Sequence, residues 1–382
     1  MNRAVVVGLL GLVCACGRPE GEPTASLSLT ETLGGADTVG YARAVEPRAF
    51  VFPADHGPHP DFRTEWWYVT GNLTGSGNRE VGFQFTIFRS ALAPSPPDLP
   101  SGWATNQAYM GHLAVTDVES GRFHAFESFA RGSGGLAGAA ADPFRVWIEG
   151  WSLEGPADGA AAFPMRLRAA DGTVALDLTF EAGKPRVLQG QAGLSQKGPE
   201  PGNASYYYAH TRMPARGTVV LGVDTLTVSG LGWLDREWST SSLSEGQVGW
   251  DWFALQMDDG WDLMVYQLRN EDGTAHRLSD GVLISPDGTR VPLAWGRDIQ
   301  VEPTGRWTSP RDGSVYPSGW RITIPSRDWD VTVTPVMDDQ ELVLAFRYWE
   351  GAVRVEGTAA GGDASGRGYV ELTGYAGQRP GR

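Results

Sequence analysis

Val81-Gly82-Phe83-Gln84-Phe85-Thr86-Ile87 is the stretch on which the fold class turns. Val81, Phe83, Phe85 and Ile87 fall on one side of an extended chain, with Gly82, Gln84 and Thr86 on the other. A period of two is a strand with one buried face. Val174, Leu176, Leu178 and Phe180 repeat the pattern a hundred residues on. Asp171-Gly172, Asp287-Gly288 and Asp312-Gly313 are turn signals between such runs. Asp258-Asp259-Gly260 predicts a hairpin joining the aromatic-rich strands Trp250–Met257 and Trp261–Leu268. Later strands are predicted at Trp320–Ile324, Trp329–Val333, Leu342–Trp349, Ala352–Val355 and Tyr369–Thr373.

From Phe50 onward no run keeps a helical period. Glycine (51) and proline (25) together make 76 of 382 residues, which suits short strands joined by turns. The chain is therefore read as all-β, and a meander of about 335 residues predicts two barrels or sandwiches in tandem. A short echo points the same way. Glu65-Trp66 precedes Val81-Gly82-Phe83-Gln84-Phe85, and Glu237-Trp238 precedes Val248-Gly249-Trp250-Asp251-Trp252. This predicts a comparable strand pair at the start of each half.

The formal charge is 31 − 45 = −14, which disfavours nucleic acid and anionic bilayers as partners. No apolar run is long enough to span a bilayer as a helix. Arg3 followed by the apolar stretch Ala4–Val13 reads as a signal segment, and Val13-Cys14-Ala15-Cys16 resembles a lipoprotein cleavage box. Residues 1–15 are expected to be a lipoprotein signal peptide, with lipidation at Cys16 and a flexible tether over 16–47. Gly17 after the anchor resembles outer-membrane sorting, so the expected place is the cell envelope, facing the periplasm in a Gram-negative cell. With Cys14 and Cys16 the only cysteines, the mature body has no disulfide and no thiolate chemistry. The body is expected to divide into an N-terminal domain over 48–232 and a C-terminal one over 233–382.

Fifteen tryptophans exceed what the interiors of two small barrels pack without a cavity. That predicts an aromatic pocket for an apolar guest. Trp233-Leu234-Asp235-Arg236-Glu237-Trp238 sets three charges among aromatics, with Asp235 and Glu237 on one face and Arg236 on the other. Carboxylates in such a place would be desolvated and shifted towards the acid–base range. Tyr206 and Tyr208 are expected to share a face and to donate hydrogen bonds or stack on a ligand. His112 lies on an apolar strand. Asp55-His56-Gly57-Pro58-His59-Pro60-Asp61 carries two imidazoles and two carboxylates, but its prolines predict an ordered loop closing a barrel end in preference to a metal site. No nucleophile elbow, P-loop, dinucleotide fingerprint or His-Glu-x-x-His is present, and no cofactor is implied.

Phe52 to Gly71, including Asp61-Phe62-Arg63-Thr64-Glu65-Trp66-Trp67-Tyr68, resembles the AttH/carotenoid 1,2-hydratase (CrtC) family. The likeness continues at Gly111–Asp117, Tyr206-Tyr207-Tyr208, Trp233–Trp238, Gly249–Phe253 and Leu263–Tyr266, covering about residues 48–375. The resemblance implies two lipocalin-like β-barrels in tandem. It implies hydration of the terminal double bond of acyclic carotenoids, or pericyclase chemistry as in distant relatives. Some relatives are exported proteins beside ABC transporter components. Its hydratases carry a histidine where Arg236 stands and an acid shortly after the tyrosine matched by Tyr266. Here Gln267 and Leu268 follow Tyr266, and an arginine gives up no proton near neutral pH.

Three functions follow as expectations. The first is an exported, lipid-anchored binder of an isoprenoid, polyene or acyl ligand. The second is an enzyme of the carotenoid 1,2-hydratase-like or pericyclase type, acting on a polyene in a dry aromatic pocket with Asp235, Glu237 and Tyr266 as catalytic groups. The third is an accessory lipoprotein of an ABC transporter. The ligand-binding set is Trp66, Trp67, Tyr68, His112, Tyr206, Tyr208, Arg236, Trp238, Trp250 and Trp252. The pocket is expected at the domain junction.

Overall fold

The computed structural model describes residues 38–159, 161–240 and 243–377. The expected signal peptide and Cys16 lie outside them. No α-helix occurs among the described residues, only three single-turn 3₁₀ segments.

The first sheet holds thirteen antiparallel strands. They are β1 (Thr64–Gly75), β2 (Glu80–Ala91), β3 (Gln107–Asp117), β4 (Arg122–Arg131), β5 (Ala137–Ala141), β6 (Phe144–Ile148), β7 (Trp151–Glu154), β8 (Met165–Asp171), β9 (Val174–Phe180), β10 (Val187–Leu188), β11 (Leu194–Gln196), β12 (Ala204–Leu221) and β13 (Asp224–Ser239). Their main path runs β4-β3-β2-β1-β13-β12-β9-β8-β7-β6-β5, and the sheet curls until β6 touches β2, β3 and β4. The alternating residues of the sequence reading fill its interior: Val81, Phe83, Phe85, Ile87, Val174, Leu176, Leu178 and Phe180 are all buried in one core.

The second barrel is built from β14 (Gln247–Met257), β15 (Asp262–Asn270), β16 (Asp280–Ile284), β17 (Arg290–Ala294) and β18 (Gln300–Pro303), with the small β19 (Arg306–Thr308) and β20 (Val315–Pro317) ribbon beside it. It is completed by β21 (Trp320–Ile324), β22 (Trp329–Pro335), β23 (Glu341–Val343), β24 (Arg347–Ala359) and β25 (Gly362–Leu372). Its core is a separate cluster around Phe253, Leu255, Trp320, Ile322, Val331 and Val353. The β14–β15 hairpin turns at Gly260, whose φ of +92° is open to glycine and strained for other residues. The two barrels pack wall against wall. At Gly82 the approach is close enough that a Cβ would stand 2.5 Å from the Ala352 Cβ.

Four expectations need correction. The division at 232/233 falls inside β13, which pairs with β1 from Val228 to Ser239 and with β12 on its other edge, across a bulge between His210 and Met213. The chain passes to the second sheet between Ser239 and Gln247. The echo is not a duplicated strand pair either. Glu65-Trp66 and Glu237-Trp238 lie opposite each other in one ladder, Glu65 beside Trp238 and Trp66 beside Glu237. Leu342–Trp349 is not one strand: β23 ends at Val343 and folds back, pairing Leu342 with Tyr348 of β24. Residues 38–47 are packed chain rather than tether. The Tyr41 hydroxyl donates to the Ala91 carbonyl at 2.8 Å, the Thr240 hydroxyl donates to that of Ala42 at 2.6 Å, and Ala44 is fully buried.

Candidate active site

A strand between two packed layers sends alternate side chains to different places. β13 does this with charges. Arg236 and Trp238 point into the end of the first barrel, while Asp235 and Glu237 point out of it, towards the second barrel.

The outward face meets the outer face of β14, β15, β24 and β25 across a cleft, about 120 Å³ of which is open to the centre of a water-sized sphere. Trp66, Tyr68 and Phe88 line it from β1 and β2, and Ser205 and Tyr207 from β12. Trp250, Trp252, Tyr266, Leu268, Glu350 and Glu371 close the opposite wall, with Lys197 and Leu243 at one side. The pocket is thus at the junction of the barrels, as expected.

Asp235 lines it from β13. Tyr207 donates its hydroxyl to Asp235 Oδ2, and Trp233 Nε1 donates to Oδ1 at 2.7 Å. Trp252 Nε1 in turn donates to the Tyr207 oxygen at 3.2 Å, so a chain of dipoles ends on the carboxyl. Burial nevertheless dominates. It pushes Asp235 up to about 7, aided by the charge of Glu237 and opposed by the Tyr207 and Trp233 hydrogen bonds and by Lys197. Glu237 accepts from the Ser205 hydroxyl, and Lys197 Nζ stands 3.4 Å from it. Lys197 also lies 4.0 Å from the centre of the Tyr266 ring. Burial disfavours its charge, yet Glu237 and Tyr266 together hold its pKa above the usual lysine value.

Two further carboxyls face the same space. Glu350 and Glu371 are direct cross-strand partners in the β24–β25 ladder. Burial first, and then the charge of Glu371, raises Glu350 well above the carboxylate range, against a 3.0 Å hydrogen bond from Tyr68. Burial pushes Glu371 up to about 8, with Asp235 and Glu237 adding to it and Trp250 opposing. Four carboxyls thus face one ammonium in an aromatic cleft. The cheapest state keeps several of them protonated.

Of the residues singled out in the sequence, Asp235, Glu237, Tyr266, Trp66, Tyr68, Trp250 and Trp252 line this cleft together. Trp67, Tyr206, Tyr208, Arg236 and Trp238 do not, because their strand parity turns them to the barrel side. There Trp67 lies under the Arg236 guanidinium at 3.9 Å, and Tyr206, Tyr208 and Trp238 pack on Phe50, Phe52 and Phe62. His112 stands behind Phe88, fully buried, its Nδ1 2.7 Å from the Tyr348 hydroxyl. Burial lowers it to about 3, so it is neutral.

Tyr207, Lys197, Glu350 and Glu371 also line the cleft and are not among the expected site residues. Tyr207 had a signal in its odd position between the two tyrosines chosen. Glu350 had another, as the lone acid in Tyr348-Trp349-Glu350-Gly351-Ala352.

The loop 55–61 closes the end of the first barrel, as expected. The His59 backbone N–H donates to Glu65, its ring stacks on Trp238 at 3.7 Å, and the Arg236 guanidinium donates to the Gly57 carbonyl at 2.5 Å. Glu65, fully buried, is ion-paired to Arg89 and Arg236. Against the burial that would raise it, those two cations hold its pKa well below the usual range.

A family model described as AttH-like matches residues 43–375. The chain is 27% identical over 218 residues to kievitone hydratase of Fusarium solani subsp. phaseoli, covering 54% of this chain and 59% of that protein. It is 22% identical over 221 residues to the dehydratase AsqC of Emericella nidulans, covering 54% and 60%. The chain thus matches about three fifths of the length of these curated relatives. Among solved structures, one described as AttH from Nitrosomonas europaea superposes with a TM-score of 0.77 at 35% identity, over 87% of this chain and 99% of that one. Kievitone hydratase from Nectria haematococca superposes with a TM-score of 0.65 at 16% identity, over 88% and 97%. CghA does so at 0.54 and 14%, over 89% and 97%. The last two likenesses concern the fold.

Proposed function

The chain belongs to the AttH-like family, and we propose that it is an acid–base enzyme that adds water to, or removes it from, an apolar unsaturated substrate held between its two barrels. The observation that carries this reading is Asp235. It is a carboxyl poised near 7 by burial, hydrogen-bonded on both oxygens and set in an aromatic cleft. Protonating an alkene takes a dry acid beside a surface that tolerates positive charge. Asp235 supplies the acid, and Trp66, Trp250 and Trp252 supply that surface. In hydration, the Asp235 proton forms a bond to one alkene carbon while the π bond breaks. A water oxygen bonds to the other carbon and releases its proton to Glu237, about 7 Å along the strand. Transfer of that proton back to Asp235 closes the cycle. Dehydration runs the same steps in reverse.

Arg236 fits this reading although the family's carotenoid hydratases carry histidine there. Its side chain is on the barrel side, bonded to Glu65, and takes no part in the cleft. The acid that the resemblance places after Tyr266 has a counterpart across the ladder, where Asp280 pairs with Tyr266. The relatives named hydratase and dehydratase support the reaction class. The apolar stretch and Cys16 support an exported, lipid-anchored protein of the cell envelope. Loss of palmitate labelling in Cys16→Ser would test that part.

The reaction is tested by incubating the protein in ¹⁸O-water with apolar alkenes, enones and their hydrates. A mass gain from labelled water, or exchange of label into the hydrate, is expected. Stoichiometric retention of a polyene or acyl lipid with neither change would overturn the enzyme in favour of a carrier.

A further inference from the structure

A further concavity lies at the end of the first barrel, under the β2–β3 loop. This loop runs Leu92-Ala93-Pro94-Ser95-Pro96-Pro97-Asp98-Leu99-Pro100-Ser101-Gly102-Trp103-Ala104-Thr105-Asn106 and carries one charge. Leu92, Leu99 and Trp103 are 63%, 64% and 66% exposed. Trp103 lies over Gly134, where a Cβ would stand 2.7 Å from its ring. Four prolines stiffen the loop, so these side chains are presented at little entropic cost. Exposed leucines with a tryptophan on a nearly uncharged loop are an unusual surface for water, and a suitable one for the boundary of a bilayer.

Two placements identify the occupant. The N-terminal chain reaches the body at this loop: Gly40 packs on Pro94, and the Tyr41 hydroxyl donates to the carbonyl of Ala91, the residue before the loop. Only residues 17–37 separate the expected lipid anchor from the first described residue, a reach of at most about 75 Å. The cleft also lies towards this end. Thr64, which lines it, pairs with Ser90, two residues before the loop begins.

We infer that the 92–106 loop rests on the bilayer surface and turns the inter-barrel cleft towards it, so that an apolar substrate enters from the lipid. The entry route rests on the reaction proposed above; the docking rests on the exposed loop and on the proposed lipid anchor. A body charge of −14 selects a zwitterionic surface.

The test uses the full chain with Cys14→Ser and Cys16→Ser, which leaves no cysteine and removes the anchor. An environment-sensitive fluorophore is attached through Leu99→Cys, or through Val223→Cys on the β12–β13 turn at the far end of the same barrel. With phosphatidylcholine vesicles, the label at 99 is expected to brighten severalfold and shift to the blue. The label at 223 should stay as in water, and adding Leu92→Glu and Trp103→Glu should abolish the change at 99. A label at 99 that remains in water, whether or not the protein sediments with vesicles, would overturn the inference. So would a response at 99 that depends on protein concentration without lipid, since a second copy would then cover this face. None of these readouts depends on turnover.

Discussion

The two sides of β13 put charged groups into equally dry places and treat them in opposite ways. On the barrel side, Glu65 meets Arg89 and Arg236, and the His59 backbone and ring complete its bonds. On the cleft side, Asp235, Glu237, Glu350 and Glu371 line one space, and the ammonium that lines it with them, Lys197, stands beside Glu237. Burial costs every ion several kcal/mol, and only the barrel side recovers that cost through pairing. The balanced side therefore holds its acid ionised and closes a barrel end. The unbalanced side holds protons at neutral pH, which is a poor way to stabilise a fold and a good way to keep an acid in reserve.

The opposite pKa directions give opposite dependences on pH. Asp235, raised from 3.8 to about 7, keeps a proton in the folded protein that the unfolded chain has released. Its contribution makes stability fall as pH rises from about 4 to about 7. Glu65 is lowered, so its contribution is present above its usual value and is lost as pH falls below it.

The largest expected effect is on turnover. Asp235→Asn keeps the shape and removes the proton, and should lower kcat by about 10²–10⁴-fold. The melting temperature should stay near wild type or rise above pH 7. A collapse of the fold would instead make Asp235 a structural partner of Trp233. On the other side, Arg236→Met leaves Glu65 with Arg89 as its cation and takes the donor from the Gly57 carbonyl, and should cost about 3 kcal/mol by denaturant titration. The pH midpoint of turnover in the remaining folded protein should not move. A moved midpoint would mean that the two sides are coupled and that the contrast drawn here fails. Tyr207→Phe is the mildest. Loss of a hydrogen bond to a charged group, about 1.5–3 kcal/mol, should move the Asp235 midpoint up by about one to two pH units and leave the low-pH rate little changed. A downward shift would show that the phenol does not donate to the carboxylate.

Much of this was legible in the sequence because alternation is local. Val81–Ile87 and Val174–Phe180 showed their buried faces directly, and Asp235-Arg236-Glu237 showed that its charges would part company. What stayed hidden depended on long-range register. Nothing near Glu350 or Glu371 announces that two barrel walls will bring them to Asp235, or that Tyr207 rather than Tyr208 faces them. The site of Arg236 was misread for a related reason. Its parity was clear, but both faces of its strand are buried, so facing away from Asp235 did not say which side held the cleft.

The central claim is that Asp235 carries a proton near neutral pH. Infrared difference spectra of wild type minus Asp235→Asn, taken across about pH 2–9, test it with the least intervening assumption. A protonated-carboxyl band specific to wild type that disappears with a midpoint near 7 is the predicted result. A midpoint near the ordinary aspartate value of 3.8 would contradict it and return the carboxylate to a purely structural role.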